Sequence, residues 1–268
     1  MLVEIAAVAG SAPREAGAFM LVAETDAHGT IGGGALEFQM IQQARRLLRE
    51  NTDAARLSIP LGPGIGQCCG GRVEIAFVRL VGPIAADLLN RVRAAEAALR
   101  PVYVFGAGHV GLALATALLP LPVRTVLVDT RKEQLDKAAA DIETRLSAIP
   151  EAEVERAPPG AAFVAVTNDH VLDFLITAAA LKRGDSPYIG MIGSRTKRAQ
   201  FRRWFFENGG NAAQLAELVS PIGDSGVDDK RPEVIAALTA AEIIVKMNHQ
   251  PSKWALPAAA GTMAKGTG

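Results

Sequence analysis

A chain of 268 residues, 49% hydrophobic and 21% charged, has the length for about two domains and the composition of a protein with a sizeable core. Its 28 Lys and Arg balance 28 Asp and Glu, so no net charge draws it to nucleic acid or to a membrane surface. No run of about 18 apolar residues marks a membrane span, and the opening stretch MLVEIAAVAGSAPRE lacks the basic segment of a signal peptide.

LVEIAAVAG and AFMLVAE read as strands, and TDAHGT has turn composition ahead of IGGG. From Ala35, ALEFQMIQQARRLLRE sets Leu36, Met40, Ala44, Leu47 and Leu48 on one helical face. ARLSI is a short strand, LGPGIGQCCGG a glycine-rich loop, and RVEIAFVRL a further strand. These elements predict an N-terminal α+β domain over residues 1–81, followed by a helical connector over 82–100. At residue 101 the pattern changes. PVYVFGAGHVGLALATALL reads as strand, glycine loop and apolar helix, and VRTVLVDT as a strand ending in Asp129. AAFVAVTNDH gives a strand before a helix at 170–182, and PYIGMIGS gives another before the helix RTKRAQFRRWFFE. Strands alternating with helices predict an α/β domain over 101–250, a Rossmann-like, doubly wound parallel sheet. Residues 251–268 are predicted to form a flexible tail.

Cys68 and Cys69 stand side by side in the glycine-rich loop. Neighbouring Cα atoms lie about 3.8 Å apart, whereas disulfides span about 4.4–6.8 Å, so a bridge between them would be strained and close almost no loop. A packed thiol and a reactive or ligating thiol both remain, and the flanking glycines allow close approach to a ligand. Zinc is disfavoured, because there is no CxxC and His28, His109, His170 and His249 show no ligand spacing. Two thiols without an export signal predict a cytoplasmic protein.

Gly106-Ala-Gly108-His-Val-Gly111 follows a strand and opens a helix, and the next strand ends in an acid 18 residues after Gly111. That is the context of the dinucleotide fingerprint. Gly106 would make the turn, Gly108 would admit a phosphate to backbone N–H groups, and Gly111 would allow close helix packing. A scaffold whose glycines only solve the turn is the plainer alternative. Asp129 suits a ribose hydroxyl, and Arg131 leaves NAD and NADP both open. His109 faces a ligand or is a polar residue at a helix start. Ser194 is a good N-cap for the helix bearing Arg195, Lys197 and Arg198, where free N–H groups and cations suit a phosphate, against the alternative of a solvated basic face. Asp169 and His170 are candidates for acid–base work or, equally, part of an N-cap cluster. The enzyme these features would describe is an NAD(P)-dependent oxidoreductase.

Taken in order, GSAPREAGAFMLV, GTIGGGALE, LGPGIGQCCGG, VFGAGHVG, YIGMIGSRTKR and SPIG resemble the xanthine dehydrogenase accessory proteins, the XdhC/CoxI family, over roughly residues 3–247. The resemblance implies a non-enzymatic chaperone that binds the molybdenum cofactor (molybdopterin), protects it during sulfuration by a cysteine desulfurase, and delivers it to apo-xanthine dehydrogenase. It further implies a homodimer, while the balanced charge predicts no nucleic acid or membrane partner and the glycine loop leaves a nucleotide as a second candidate ligand. On this resemblance Cys69, the cysteine directly before Gly-Gly, is the favoured thiolate for molybdenum, with Cys68 as its neighbour. Gly106–Gly111 and Ser194–Arg198 would meet the cofactor's phosphate. Arg14, Gly32, Gly33, Gly34 and Glu37 would line a pterin cleft between the domains, although Glu37 equally suits a first-turn acid favoured by the helix dipole.

Overall fold

Apolar residues at every second position bury one face of the first sheet. Val3 and Ile5 of β1 (Leu2–Ala9) and Met20 and Val22 of β2 (Phe19–Val22) lie on that face, all 2% exposed or less. Across it packs the stripe Leu36, Met40, Ala44 and Leu47 of helix α1 (Gly34–Arg49). The stretch TDAHGT holds more than a turn. Ala23 N–H donates to the Asp26 carbonyl at 2.8 Å, and the chain returns as a short exposed strand, β3 (Ala27–Gly29), antiparallel to β2. β4 (Ala54–Pro60) and β5 (Arg72–Val78) complete an antiparallel sheet in the order β3-β2-β1-β5-β4, with Val73, Ile75 and Phe77 of β5 in the same core. The computed structural model describes residues 1–62, 70–224, 226–227 and 229–248, and the elements counted here are those of the described residues.

The chain divides into two compact units, Met1–Ala95 and a second from Glu96 onward. Helix α2 (Gly82–Ala97), read from the sequence as a connector, lies almost wholly within the first unit. Its Arg91 makes a two-pronged ion pair with Glu4 of β1, at 2.6 and 3.1 Å.

The second unit runs β6 (Arg100–Phe105), α3 (His109–Leu118), β7 (Val123–Asp129), α4 (Lys132–Leu135), β8 (Glu143–Leu146), α5 (Pro150–Arg156), β9 (Ala162–Ala165), α6 (His170–Arg183), β10 (Ile189–Met191), α7 (Arg195–Glu207), α8 (Ala212–Ala216), β11 (Leu218–Val219) and α9 (Pro232–Met247). All of its strand pairs are parallel, in the order β11-β10-β9-β6-β7-β8. The chain winds outward from β6 in one direction, then restarts at β9 in the other, which makes this a Rossmann sheet with its switch point between β6 and β9.

Both faces of this sheet are covered, so β9 and all of β6 beyond Arg100 are apolar at every position. Val102, Val104 and Val164 pack toward α3 and α9, against Leu114, Leu118, Ala240 and Ile243. Tyr103, Phe105 and Phe163 point the other way, against Ile176, Phe201 and Phe205 of α6 and α7. Burying each such side chain stabilises the fold by roughly 1.5–3 kcal/mol. Open α/β sheets present ligands with the crevice beyond the carboxyl ends of their strands, and the loops there carry the glycine motif, Thr167 and Ser194.

Candidate functional site

The three glycines of the loop after β6 stand there for different reasons. Gly106 has φ +108°, and a Cβ on it would sit 2.7 Å from the Val166 carbonyl oxygen. A Cβ on Gly111 would sit 1.7 Å from the Gly106 oxygen. The fold itself requires both. Gly108 has φ −79° and ψ −171°, open to any residue, and a Cβ there would meet nothing within 4 Å. What lies beside Gly108 is open space at the start of α3. Among the described residues, no partner takes the backbone N–H groups of Gly108 to Gly111, and such groups at a helix start, with the helix dipole, attract an anion. The adjoining groove, of about 480 Å³, is lined by Gly106, Gly108, His109, Arg131, Lys137 and Thr167, among others. His109 is exposed on its rim.

Asp129 is engaged within the protein. Its Oδ2 accepts from Ala107 N–H at 2.6 Å, and both its oxygens accept from the Arg131 guanidinium at 2.9 and 3.0 Å. Burial opposes its ionisation, but Arg131 and the Ala107 amide outweigh this and hold its pKa below the usual carboxylate range. The carboxylate read from sequence as a ribose ligand is thus tied to the glycine loop and to its own arginine.

Ser194 caps α7, its Oγ accepting from Lys197 N–H at 3.2 Å. Ser194 and Arg195 line a second groove, of about 450 Å³, with Gly193, Pro221, Gly223 and Asp224, and Ile192 stands on the wall of both grooves. β6 and β10 are separated only by β9, so their carboxyl ends lie about 10 Å apart.

Lys197 corrects the expectation of a cation offered to a phosphate. It is 6% exposed, and its Nζ donates to Oδ2 of Asp173 at 2.5 Å. Asp173, fully buried on α6, also accepts from Thr167 N–H at 2.9 Å and Thr167 Oγ1 at 2.7 Å. Burial pushes the Asp173 pKa up, and the bonds from Lys197 and Thr167 offset this only in part. The pair joins the loop after β9 to the first turn of α7. Neither Thr167 nor Asp173 stood out as a site residue in the sequence; the one available signal was a lone acid amid Val171, Leu172, Phe174 and Leu175. Asp169 caps α6, its Oδ1 accepting from Val171 and Leu172 N–H.

In the first unit, Gly32, Gly33 and Gly34 all have positive φ and wrap the chain around the Glu37 carboxylate. Its Oε2 accepts from Ile31 N–H at 3.0 Å, Gly33 N–H at 3.1 Å and Thr30 Oγ1 at 2.5 Å. Burial acts to raise the Glu37 pKa, but these bonds together outweigh it and hold it low. The loop's amides therefore close on an internal anion. Arg14 is exposed beside this loop, its Cγ 3.5 Å from the Cβ position of Gly32, with no ion pair among the described residues. Cys68 and Cys69 lie outside the described residues. The flanks of their loop are pinned: Leu61 bonds to both Gly70 and Gly71, its N–H donating to Gly71 O at 2.7 Å and its carbonyl accepting from Gly70 N–H at 2.9 Å. Gly71 leaves no room for a Cβ, which would sit 2.1 Å from the Ser11 carbonyl oxygen. Arg72 donates to Ser58 Oγ at 3.2 Å.

Residues 102–243 match the family model for the XdhC Rossmann domain, and residues 1–59 match that of the XdhC and CoxI family. The chain is 26% identical over 254 residues to the uncharacterized protein YqeB of Escherichia coli (strain K12), across 90% of this chain and 42% of that protein. It thus spans less than half the length of this curated relative. The crystal structure of a xanthine dehydrogenase (BH1974) from Bacillus halodurans is similar to 96% of this chain and 93% of that one, with a TM-score of 0.73. At 20% identity the likeness is one of fold.

Two outcomes are expected of the internal ion pairs. Asp173→Ala strands the Lys197 ammonium in the core and should cost about 3–5 kcal/mol in urea denaturation, whereas the apolar pair Asp173→Leu with Lys197→Met should recover most of that loss. Glu37, with its folded pKa lowered, contributes stability above its unfolded pKa of about 4.3, and this is lost as pH falls through the folded value. Glu37→Gln should therefore cost about 1 kcal/mol at neutral pH, discounted for partial exposure, and the gap from the parent should close as denaturation is repeated from pH 5 downward.

Proposed function

The chain belongs to the XdhC and CoxI family, and on that premise we propose that it serves xanthine dehydrogenase maturation as a non-enzymatic chaperone for the molybdenum cofactor. Its cargo is molybdopterin, held while a cysteine desulfurase supplies the sulfido ligand and then handed to the apoenzyme. The working unit is a cytoplasmic homodimer.

The single observation that supports this best is the open position at Gly108. Two of the three loop glycines are consumed by packing, while the third leaves a cradle beside unpartnered amides that a side chain would fill. An anionic end of a ligand fits that cradle, with Arg131 and Lys137 on the same groove wall. From there the ligand runs past Thr167 toward Ser194 and Arg195, whose N–H groups and guanidinium suit its polar edge. Lys197 takes no part in contact; it holds the first turn of α7 in place through Asp173. In the first unit Arg14, with no ion pair among the described residues, would meet an anion, and Glu37 keeps the glycine loop in shape beside it. A soft thiolate suits molybdenum, and in this reading Cys69, or Cys68 beside it, contributes that thiolate from a loop with pinned flanks. The oxidoreductase alternative has no specific observation in its favour, because Asp129 is already bonded to Ala107 and Arg131.

Titration with molybdopterin, with and without metal, tests the reading. Gly108→Val fills the open cradle without clashing with the chain and should weaken both ligands about tenfold or more at unchanged melting temperature, and Arg195→Ala should weaken them by about 1–3 kcal/mol. Cys69→Ser should lower retention of the metal-bearing cofactor while sparing the metal-free form. Unchanged affinity in Gly108→Val would remove the phosphate from this loop, and equal molybdenum retention in Cys69→Ser would rule out that thiolate.

A further inference from the structure

Helix α7 shows two unlike faces. Lys197, Phe201 and Phe205, spaced i, i+4 and i+8, are buried under the sheet. Arg195, Arg198 and Arg202, spaced i, i+3 and i+7, line up on an exposed face over about 10 Å of helix. Beside that row, between α7 and α8, runs a groove of about 630 Å³ with Ala199, Phe206, Ala212, Leu215 and Ala216 on its lining. Phe206 is 39% exposed, and the Arg202 guanidinium carbon lies 5.7 Å from its ring centroid. Arg203 pairs with Glu207 at 3.0 Å, whereas Arg195, Arg198 and Arg202 have no ion pair among the described residues.

An apolar floor edged by a row of unpaired guanidinium groups matches one kind of occupant. We propose that the α7–α8 groove docks an acidic amphipathic helix of a partner protein, with carboxylates at i, i+3 or i+4, and i+7 meeting the arginines and an apolar stripe on the alanine and leucine floor. Residues 249–268 of the chain itself are mismatched, since they contain no Asp or Glu and carry Lys253 and Lys265. A two-fold contact between copies would set arginine row against arginine row. Nucleic acid would leave the apolar floor uncovered, and a chain with 28 positive and 28 negative side chains has no extended basic field to attract it. The proposal shares Arg195 with the cofactor reading, since that residue lines both the α7–α8 groove and the groove at Ser194, whereas Arg198 and Arg202 line only the former.

Fluorescence anisotropy on the full chain provides the test. The probe is a labelled helical peptide of about 18 residues with Glu at i, i+3 and i+7 beside a Leu stripe, and the comparisons are its Lys-for-Glu counterpart and a single-stranded oligothymidylate of equal charge. The parent should bind the acidic peptide with micromolar affinity and ignore the Lys version. Arg198→Glu with Arg202→Glu should weaken binding by about tenfold or more at unchanged melting temperature, and Arg202→Glu alone should weaken it while leaving molybdopterin affinity unchanged. Arg93→Glu, an exposed charge change in the first unit, should leave it unaltered. Ala216→Lys adds a positive charge while filling the groove, so docking in the groove predicts weaker binding and mere charge attraction predicts tighter. The proposal is overturned if the parent does not bind the acidic peptide, if binding survives the double arginine reversal or tightens in Ala216→Lys, or if the oligothymidylate competes as strongly as the peptide.

Discussion

A lysine ammonium and an aspartate carboxylate, both removed from water at 2.5 Å, tie together the carboxyl edge of the parallel sheet. Lys197 reaches them from the first turn of α7, and Asp173 from the first turn of α6. Such a pair adds little net stability, since desolvation cancels most of the attraction. Its effect is on position. Asp173 also gathers both hydrogen-bond donors of Thr167, so the loop after β9 and the start of the helix after β10 are set by the same carboxylate. Ser194, Arg195 and the two grooves sharing Ile192 inherit their geometry from it.

Each unit follows one division of labour, in which some polar groups are bonded inside the fold and others are left facing outward. Asp129 closes the glycine loop by accepting from Ala107, and Arg131 neutralises it. Glu37 does the same for the loop at Gly32–Gly34. With these anions tied down, the groups left facing outward beyond the second unit's sheet include the amides of the α3 start, Lys137, Ser194 N–H and Arg195, with the Asp224 carboxylate on the same groove as the last two. That balance suits an anionic cargo.

The Rossmann unit was legible in the sequence because its signals are local. Apolar strands, a glycine loop and an acid at the end of the next strand recur at spacings set by the fold's own geometry. β8 and β3 were missed for a physical reason: both are short edge strands, β8 alternating between half-buried and exposed and β3 wholly exposed, so neither carries an apolar run. The site was read less well. Lys197 looked like a surface cation beside Arg195 and Arg198, yet one step around the helix turns it inward to a partner 24 residues earlier. Long-range pairing of this kind leaves no periodic trace. Nor could spacing separate Gly108, beside open space, from Gly106 and Gly111, which the packing demands. The glycines of IGGG looked like a ligand loop, while the carboxylate they enclose was present in the same motif, at Glu37.

The most direct measurement of the central claim is joint molybdenum analysis and pterin fluorescence on the protein purified without oxygen from a host that makes the cofactor. A cofactor chaperone should give both signals in near-equal amount, eluting with the protein. Protein that carries neither from a host shown to contain free cofactor, or that carries a nicotinamide nucleotide in its place, would contradict it.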